Sequence, residues 1–578
     1  MVSHSAHSNG IQRERRLPQF YQGLAQESSE SFDNILIYSS CRPSEGCLCS
    51  IGVMAFLLLC SFSASLSQKK LMLNNTLTHG ETYFGVEPVT GAYNVMTDPF
   101  SLPIFMVAPK DSIIDTKAIQ DTIDEAWERG GGSVVFPPGR YTIGSTLDLK
   151  SKVYLRIDPD VLLVGSTQES DFPHPDSWEA AGIPKSSKEN NSILPILIRC
   201  KGQSQVGIFG GGTIDGSAVP DLVHGFNLTD DKYIPNTWQS NDTCQGECRI
   251  QLILFERCQN VYLSNISLQN SPDWTLHVRG SENVLVDHVR IFGDWRWPNN
   301  DGIDVDSSIN VTITNSRIVT ADDALCIKTT RGYGPTKNIL IRNNIAKSRS
   351  SAFKIGSSTM EDIEDILVEN LHILADTNRG LAIQHRDAGN IQRIHFRHVV
   401  MEGLSFQPTS WWGSAEAIYI SSIPRYYPKW KLGAVSDIIF EDVTAWNAEQ
   451  GVFLSSRHGT LLRDVSFLDT NIHIVNYDDD SFITRLTPRL PGVVYTSPQR
   501  DYRPSEPSIN GETDIVKTGM YLEGVDRTSM RTISSQIWFE SFSTNDDAMW
   551  QGSCIKGDDG EEFRMPGLKC SYDQLPLY

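Results

Sequence analysis

The chain is short of cationic residues. Its 578 residues include 50 Lys and Arg against 70 Asp and Glu, giving a formal net charge of −20 and an isoelectric point near 5.1. No basic stripe is present, so we expect no nucleic-acid partner. Hydrophobic and charged contents of 39% and 21% are ordinary for a folded soluble protein. An anionic substrate would therefore need local cations in its binding cleft.

Metal-ligating cysteine patterns are also missing. No C-x-x-C pair or Cys/His cluster occurs, so we expect no metal and no cofactor. Of eleven cysteines, four precede residue 61. Among the other seven, Cys244 with Cys248 and Cys554 with Cys570 are candidate local disulfides. Cys326 falls within a predicted strand, which indicates a buried rather than a reactive thiol.

Long apolar runs are absent except at residues 47–68, which carry no charge. The segment is either a signal anchor or, if Met54 is the start, a cleavable signal peptide, which the short apolar centre favours. We therefore expect a secreted protein; the alternative is a type II membrane-anchored protein with its main domain outside the cytosol. Residues 1–46 are polar and predicted to be disordered. Six N-x-S/T sequons suit a secreted glycoprotein: Asn74, Asn190, Asn227, Asn241, Asn265 and Asn310.

Long helices are missing from the body of the chain. One amphipathic helix is predicted from Thr116 to Glu128, with Ile119, Ile123 and Trp127 on its apolar face, to cover the open end of a solenoid. Segments of strand character follow. Asn or Asp before an aliphatic residue recurs every 23 to 28 residues, at Asn260, Asn283, Asn310, Asn338, Asp365 and Asn390, and again at Asp437 and Asp464.

This period excludes crossover βαβ units, and no L-x-x-L-x-L pattern supports leucine-rich repeats. The sequence predicts an all-β fold, a right-handed parallel β-helix over residues 80–480. Residues 481–578 lose the period and are predicted to form a C-terminal extension that packs on the coil. We expect a monomer.

Four predicted strand cores share one pattern. Their apolar anchors are Val305, Ile327, Ile355 and Ile383, each preceded two positions earlier by another apolar residue. This alternation predicts one buried and one solvated face. The position four before each anchor holds Asp301, Asp323, Ser351 and Arg379. Equivalent positions on adjacent turns of a parallel coil lie about 4.8 Å apart, so Asp301 and Asp323 should stack, with Asp322 beside them.

Three carboxylates this close cannot all ionise freely, so at least one pKa should rise. A protonated carboxyl beside an ionised one is the arrangement that glycoside hydrolysis requires. A single Asp at such a position is more often a turn residue. The three together, one turn apart at one edge, favour catalysis.

These motifs resemble those of family 28 glycoside hydrolases, the polygalacturonase family. The resemblance rests on NNDGID (299–304) and ADDAL (321–325), with support from GGGTIDG (210–216) and NSPDWTLHV (270–278). It covers roughly residues 80–475. It implies a right-handed β-helix and single-displacement hydrolysis of a glycosidic bond in a cell-wall polysaccharide of pectic type. By the same resemblance, Asp322 is the proton donor, and Asp301 and Asp323 activate water.

Two departures from the family pattern concern substrate binding. The family's GHG motif aligns with Ser350-Ser351-Ala352, which replaces its histidine by Ser351. Its RIK motif aligns with Ala382-Ile383-Gln384, which removes both cations that grip a galacturonate carboxylate. These changes favour an exo-acting or rhamnogalacturonan-type specificity over ordinary endo action.

Other side chains could replace the lost contacts. Lys328 and Lys354 are predicted to project outward on the two turns that precede the turn of Gln384. Aromatic rings in loops are suited to packing against the faces of sugar rings. The predicted substrate-binding residues are Lys354, Lys328, Arg379, His385, Gln384, Ser351 and Trp297, whereas Trp274 is predicted to lie in the core. Alternatively, the cations only neutralise neighbouring Asp residues. Two rival functions are a polysaccharide lyase and a catalytically inactive carbohydrate-binding β-helix protein.

Overall fold

The computed structural model describes residues 101–107, 115–167, 171–172, 195–218, 250–294, 299–405, 413, 415–424, 431–457, 462–475, 519–541, 554–557, 565 and 567–574. Structural statements here concern these residues. The segment 47–68, the pair Cys244 and Cys248, and Trp297 lie outside them. Within them, no helix is both long enough and apolar enough to cross a membrane.

The repeating segments form strands that pair in parallel with the equivalent strands one turn before and after. The coil has three faces. The first face contains β1 (Ile104–Met106), β2 (Gly132–Val135), β5 (Val153–Arg156), β8 (Ser204–Phe209), β11 (Gln259–Ser264), β14 (Glu282–Asp287), β17 (Ile309–Thr314), β28 (Leu462–Leu468) and β31 (Arg531–Ile533).

The second face contains β3 (Gly139–Ile143), β6 (Val161–Gly165), β9 (Thr213–Asp215), β12 (Ser267–Gln269), β15 (Arg290–Phe292), β18 (Arg317–Thr320), β29 (Asn471–Val475), β32 (Ser535–Ser541) and β34 (Leu568–Gln574). Four long strands run through both the first and the second face: β20 (Thr336–Ser348), β22 (Ile363–Ile373), β24 (Ile391–Met401) and β26 (Val435–Ala448).

The third face is a separate sheet of twelve strands. In chain order it contains β4 (Leu147–Leu149), β7 (Ile196–Lys201), β10 (Gln251–Glu256), β13 (Leu276–Arg279), β16 (Ile303–Asp306), β19 (Leu325–Thr329), β21 (Ser351–Thr359), β23 (Arg379–His385), β25 (Glu416–Ser422), β27 (Gln450–Ser456), β30 (Met520–Glu523) and β33 (Ile555–Gly557). The predicted all-β, right-handed parallel β-helix is confirmed, and right-handed winding is the rule for parallel connections.

The predicted register of the third face is confirmed. Val305 pairs with Ile327, Ile327 with Ile355, and Ile355 with Ile383, and all four anchors are buried in the core. Burying a side chain of this size contributes about 1.5–3 kcal/mol. The outward side departs from the prediction of a solvated face, because Asp304 and Lys328 there are also buried.

Asn and Asp residues lie at the start of the first-face strands, where the chain turns from the third face. Asn283, Asn310 and Asn338 adopt positive φ angles of 58°, 58° and 57°, a conformation that Asn tolerates better than most residues. Each also donates its side-chain amide to the Asn one turn earlier, at 3.1–3.3 Å. The predicted marker at Asn390 is wrong. Ile394 is the residue in register, so Arg393 (φ 56°) occupies this corner.

The predicted capping helix α1 runs from Thr116 to Glu128 and contacts β1, β2, β4 and β5 at the N-terminal end of the coil. Ile119 and Ile123 are buried as predicted. Trp127 is not on the buried face: 47% of its surface is exposed, and the Lys150 ammonium lies 4.7 Å from its ring centre. Ala126 packs into the core instead.

Strands continue the coil beyond residue 480. β30 pairs in parallel with β27, β31 with β28, and β32 with β29. The predicted C-terminal extension, 481–578, therefore includes further turns of the coil, and residue 480 is not where the coil ends. The predicted disulfide between Cys554 and Cys570 is confirmed.

Candidate active site

The three aspartates lie just before two neighbouring strands of the third face. Asp301 precedes β16 by two residues, and Asp322 and Asp323 precede β19. The backbone amide of Gly302 donates to the carbonyl of Asp323 at 2.9 Å, which holds Asp301 and Asp323 in one column. One carboxylate oxygen from each of the three lies within 4.8 Å of the others. The predicted meeting of three carboxylates is confirmed.

Asp322 is the most exposed of the three, and asparagines hold it in place. Its backbone amide donates to Oδ1 of Asn300 at 3.1 Å. Its carboxylate accepts hydrogen bonds from the backbone amide of Asp323 at 2.9 Å and from the backbone and side-chain amides of Asn299 at 3.3 Å. Burial and the Asp323 charge raise the pKa of Asp322. This carboxyl is therefore suited to holding a proton near the surface.

Asp323 is buried beside a lysine. The Lys354 ammonium donates to its Oδ2 at 2.6 Å, and the Ser350 hydroxyl donates to its Oδ1 at 2.8 Å. Burial alone would raise the pKa of Asp323, but Lys354 and Lys328, with these two hydrogen bonds, hold it below its usual value. Asp323 is the carboxylate of the cluster that is most readily ionised.

Asp301 shares a second lysine with Asp304. The Lys328 ammonium lies 3.4 Å from Oδ2 of Asp301 and 2.9 Å from Oδ1 of Asp304. It also lies 3.9 Å from the ring centre of Trp274, a cation–π distance. Burial and the charges of Asp322 and Asp304 raise the pKa of Asp301 well above its usual value, and burial, opposed by Lys328, raises that of Asp304 to about 7.

The cluster therefore combines groups with opposite acidities. The pKa values of Asp301 and Asp322 are raised and that of Asp323 is lowered. Groups this close titrate together, so a proton retained by the cluster belongs to the Asp301–Asp322 pair rather than to one of them. A protonated carboxyl and an ionised one side by side can act as general acid and general base.

The predicted substrate-binding residues do not form one group in the structure. Lys328 and Lys354 belong to the aspartate cluster, where they neutralise carboxylates. Arg379 is buried, with its guanidinium 2.9 Å from Glu416 and 3.7 Å from the ring centre of Tyr419. Ion pairing thus matches the alternative interpretation of these cations, and contact of Lys328, Lys354 and Arg379 with a sugar stays a prediction.

His385 is fully buried, and its ring nitrogens lie 2.8 Å from the Ser422 hydroxyl and 2.8 Å from the carbonyl of Gly389. This burial corrects its prediction as a substrate contact. Gln384 and Ser351 are also buried. Ser351 follows Asp323 in the same column, and its carbonyl accepts the amide of Ala324 at 2.9 Å.

One residue of the site was not predicted from the sequence. Trp274, predicted to be core, is half-buried above Lys328. Val278 pairs with Val305, so extending the anchor register by one turn would have placed Trp274 in the Asp301 column. Arg349 was not singled out either. It is half-buried between Ser348, whose hydroxyl donates to the carbonyl of Asp322 at 2.7 Å, and Ser350.

The aspartate cluster is compact enough to share a cation. Oxygens of Asp301, Asp322 and Asp323 lie within 4.8 Å of one another, as do ligand atoms of Asp301, Asp304 and Cys326. Exposed acidic groups often come this close without binding metal, and two lysines already neutralise this cluster. The expectation of no metal stays a prediction.

The sequence is similar to those of known proteins. The family model "Glycosyl hydrolases family 28" matches residues 137–484. A protein of Vitis vinifera named "Probable polygalacturonase" is 26% identical over 374 residues, 62% of this chain and 71% of its own. An endo-polygalacturonase of Pectobacterium carotovorum subsp. carotovorum is 28% identical over 347 residues, 59% of this chain and 79% of its own.

Two solved structures share the fold. An exopolygalacturonase from Thermotoga maritima matches with a TM-score of 0.51 and 20% identity, covering 66% of this chain and 90% of its own. A family 28 exopolygalacturonase from Yersinia enterocolitica matches with a TM-score of 0.52 and 19% identity, covering 81% and 77%. At these identities the structures support the β-helix fold.

Proposed function

The chain belongs to glycosyl hydrolases family 28, and we propose that it hydrolyses glycosidic bonds in a pectic polysaccharide outside the cytosol, as a secreted monomer. The relatives are named as polygalacturonases of both endo and exo type, so their names support a galacturonan-type substrate. The replaced histidine and cation pair favour an exo-acting or rhamnogalacturonan-type specificity.

The observation that carries the proposal is the aspartate cluster with its opposite pKa shifts. Asp322, partly exposed and with a raised pKa, donates a proton to the leaving glycosidic oxygen. Asp323, ionised beside Lys354, activates a water molecule, and Asp301 assists when the proton of the Asp301–Asp322 pair is on Asp322. Hydrolysis needs both events in one step if the reaction is a single displacement.

The prediction of inversion at the anomeric carbon rests on the family resemblance and not on the distance between the carboxyl groups. Inverting enzymes in general separate their two carboxyl groups by about 6.5–9.5 Å, whereas the nearest oxygens here lie within 4.8 Å. The stereochemistry of the first product is therefore a direct test. Proton NMR of early reaction products should show the inverted anomer before mutarotation, and a retained anomer would contradict the single-displacement mechanism.

A product assay tests the reaction class. The purified protein is incubated with polygalacturonan, rhamnogalacturonan and neutral glycans, with and without EDTA. We expect new reducing ends from a pectic substrate, unchanged by EDTA, and saturated products. Unsaturated products lost on chelation would instead indicate the lyase alternative. No product from any glycan, with the β-helix folded, would favour the inactive binding protein.

Arg349 is the proposed replacement for the missing carboxylate-binding cations. Arg349 is half-buried and follows Ser348, whose hydroxyl donates to the carbonyl of Asp322 at 2.7 Å. Burial lowers its pKa to about 10, against the opposing charge of Asp294, so the side chain stays cationic at neutral pH. A guanidinium suits a carboxylate because it can donate two parallel hydrogen bonds.

We expect Arg349→Gln to raise KM for a galacturonate oligomer about tenfold, the scale of one charge-assisted hydrogen bond. KM for a neutral aryl glycoside should change less than twofold. Arg342→Gln is the matched control, because Arg342 lies on the same chain segment but in the first-face part of β20, where it is paired with Glu369 at 2.6 Å. Equal effects of Arg349→Gln on acidic and neutral substrates would contradict this role.

A further inference from the structure

Two cysteines on adjacent turns lie in contact inside the coil. Cys200 is the second-last residue of β7, and Cys258 follows β10 by two residues. β7 and β10 are paired neighbours, with Phe255 opposite Cys200. The Arg257 backbone turns the chain with a φ of 53°, which brings Cys258 back over the preceding turn.

The two sulfur atoms lie 3.2 Å apart. This distance is below ordinary van der Waals contact and about 1.2 Å longer than a disulfide bond. Both side chains are buried in the hydrophobic core. Small rotations of two side chains, each moving a sulfur by about 0.6 Å, would close the gap without moving either strand.

We propose that Cys200 and Cys258 form a disulfide bond in the mature protein. The bond joins two successive turns of the coil beneath the corner between its third and first faces. It closes a loop with a sequence separation of 58 residues, and it stabilises the fold by restricting the unfolded chain.

The pairing also fits the cysteine count. Cys554 and Cys570 are bonded, and Cys244 with Cys248 is a sequence prediction. A Cys200–Cys258 bond leaves Cys326 as the one cysteine after residue 61 outside a pair. The Cys326 thiol is buried, 3.3 Å from the carbonyl of Gly356, and burial raises its pKa well above the usual value. A protonated thiol of this kind resists oxidation.

The oxidation is a thiol–disulfide exchange with a small disulfide such as oxidised glutathione. The Cys258 thiolate attacks one sulfur of the oxidant and releases one reduced thiol. The Cys200 thiolate then attacks the Cys258 sulfur of the mixed disulfide and releases the second. The two protein thiols are oxidised, and the oxidant is reduced to two thiols that receive their protons. Since both cysteines end up buried, this exchange takes place before the coil closes around them.

Peptide mapping tests the bond directly on the full chain secreted from an oxidising compartment. The protein is denatured without reductant, alkylated with iodoacetamide and digested with trypsin. Cleavage after Arg199, Lys201, Arg257 and Arg279 gives the dipeptide 200–201 and the peptide 258–279. Because the latter contains the sequon at Asn265, N-glycans are removed first.

We expect the dipeptide 200–201 to be joined to peptide 258–279, and to be released by reduction. Cys326, in peptide 318–328, should be alkylated in the same sample and serves as the free-thiol control. Alkylated Cys200 and Cys258, or a link from either of them to another cysteine, would overturn the proposal.

A stability measurement gives a second test. The melting temperature is measured for oxidised and fully reduced wild-type protein, and the same difference is measured for Cys200→Ala. Reduction of Cys554–Cys570 contributes to both differences and cancels. We expect the wild-type difference to be larger by about 3–8 °C, the effect of one disulfide in a chain of this size. Equal differences would contradict the bond. Neither test uses activity, so failure of the proposed function would leave the disulfide standing.

Discussion

The inward and outward sides of the third face use the same strands but different chemistry. The inward column is uniformly apolar: Val305, Ile327, Ile355 and Ile383. The neighbouring outward column changes from turn to turn: Asp304, Cys326, Lys354 and Ala382. Both columns are buried. Inward burial is stabilised by packing alone, whereas each outward charge is offset by a partner on another turn, as Lys354 is by Asp323.

This difference separates two requirements that one strand must meet. An apolar side chain in the inward column tolerates any neighbour of similar volume. A buried charge tolerates only a partner of opposite charge at hydrogen-bonding distance. Mutations on the inward side should therefore lower stability, and mutations on the outward side should lower activity. Adjacent residues of one strand allow the two effects to be compared.

The largest effect is expected on the outward side. Asp322→Asn removes the proposed proton donor while keeping the shape of the side chain. We expect kcat to fall at least about a thousandfold, because general acid catalysis contributes on the order of 10²–10⁴. The melting temperature should change by less than about 2 °C, since Asp322 is the most exposed member of the cluster. Reducing-end release and thermal denaturation measure the two quantities, and a wild-type rate would refute the assignment.

Ile355→Ala tests the inward side. Ile355 is fully buried between Ile327 and Ile383, and its truncation leaves a cavity. We expect the free energy of unfolding to fall by about 2–5 kcal/mol. Below the melting temperature, kcat/KM should stay within about threefold of wild type, because the Ile355 side chain lies in the core, on the opposite side of the strand from the carboxylates. A large loss of kcat with unchanged stability would contradict the assignment of stability to the inward side and of activity to the outward side.

Lys354 is the residue before Ile355 and faces the opposite way. Its ammonium helps to hold the pKa of Asp323 below the usual value, so Asp323 is ionised down to low pH. Lys354→Met removes that charge and raises the pKa of Asp323. The acid limb of kcat/KM should therefore move to higher pH, and activity should fall about 10–100-fold, most strongly at low pH.

Lys347→Met is the control for this variant, because Lys347 pairs with Asp376 at 3.0 Å on the coil surface. Its pH profile should match wild type. If Lys354→Met lowers activity equally at every pH, the lysine does not set the ionisation of Asp323, and its contribution is to packing.

The sequence predicted the inward side because apolar periodicity is a local property. Strand register and the meeting of the three aspartates follow from positions relative to the anchors. The helix Thr116–Glu128 follows from its own helical spacing of apolar residues. Outward partners follow no such rule. Arg379 pairs with Glu416, 37 residues later, because a longer connection separates those two turns. Repeat spacing therefore could not identify Glu416 as the partner. Because Arg379 is buried in this ion pair, its role in the structure is to stabilise the fold.

The corner asparagines combine a backbone requirement with a side-chain one. Asn338 has a positive φ and donates a hydrogen bond to Asn310. Repeat spacing alone does not identify such a residue, because it selected Asn390, which lies three positions out of register. Asn338→Ala should lower the free energy of unfolding by about 1–2 kcal/mol, from the left-handed backbone and the lost hydrogen bond together.

Asn338→Gly separates those two contributions, because glycine accepts the positive φ without strain but also lacks the amide. We expect it to recover about half of the loss in chemical denaturation, and kcat should equal wild type in both variants because the corner lies away from the aspartate cluster. If glycine recovers nothing, the ladder of side-chain hydrogen bonds alone stabilises this corner. If it recovers everything, the asparagines serve only their backbone conformation, and other residues that tolerate positive φ, such as Arg393 on a later turn, replace them without loss.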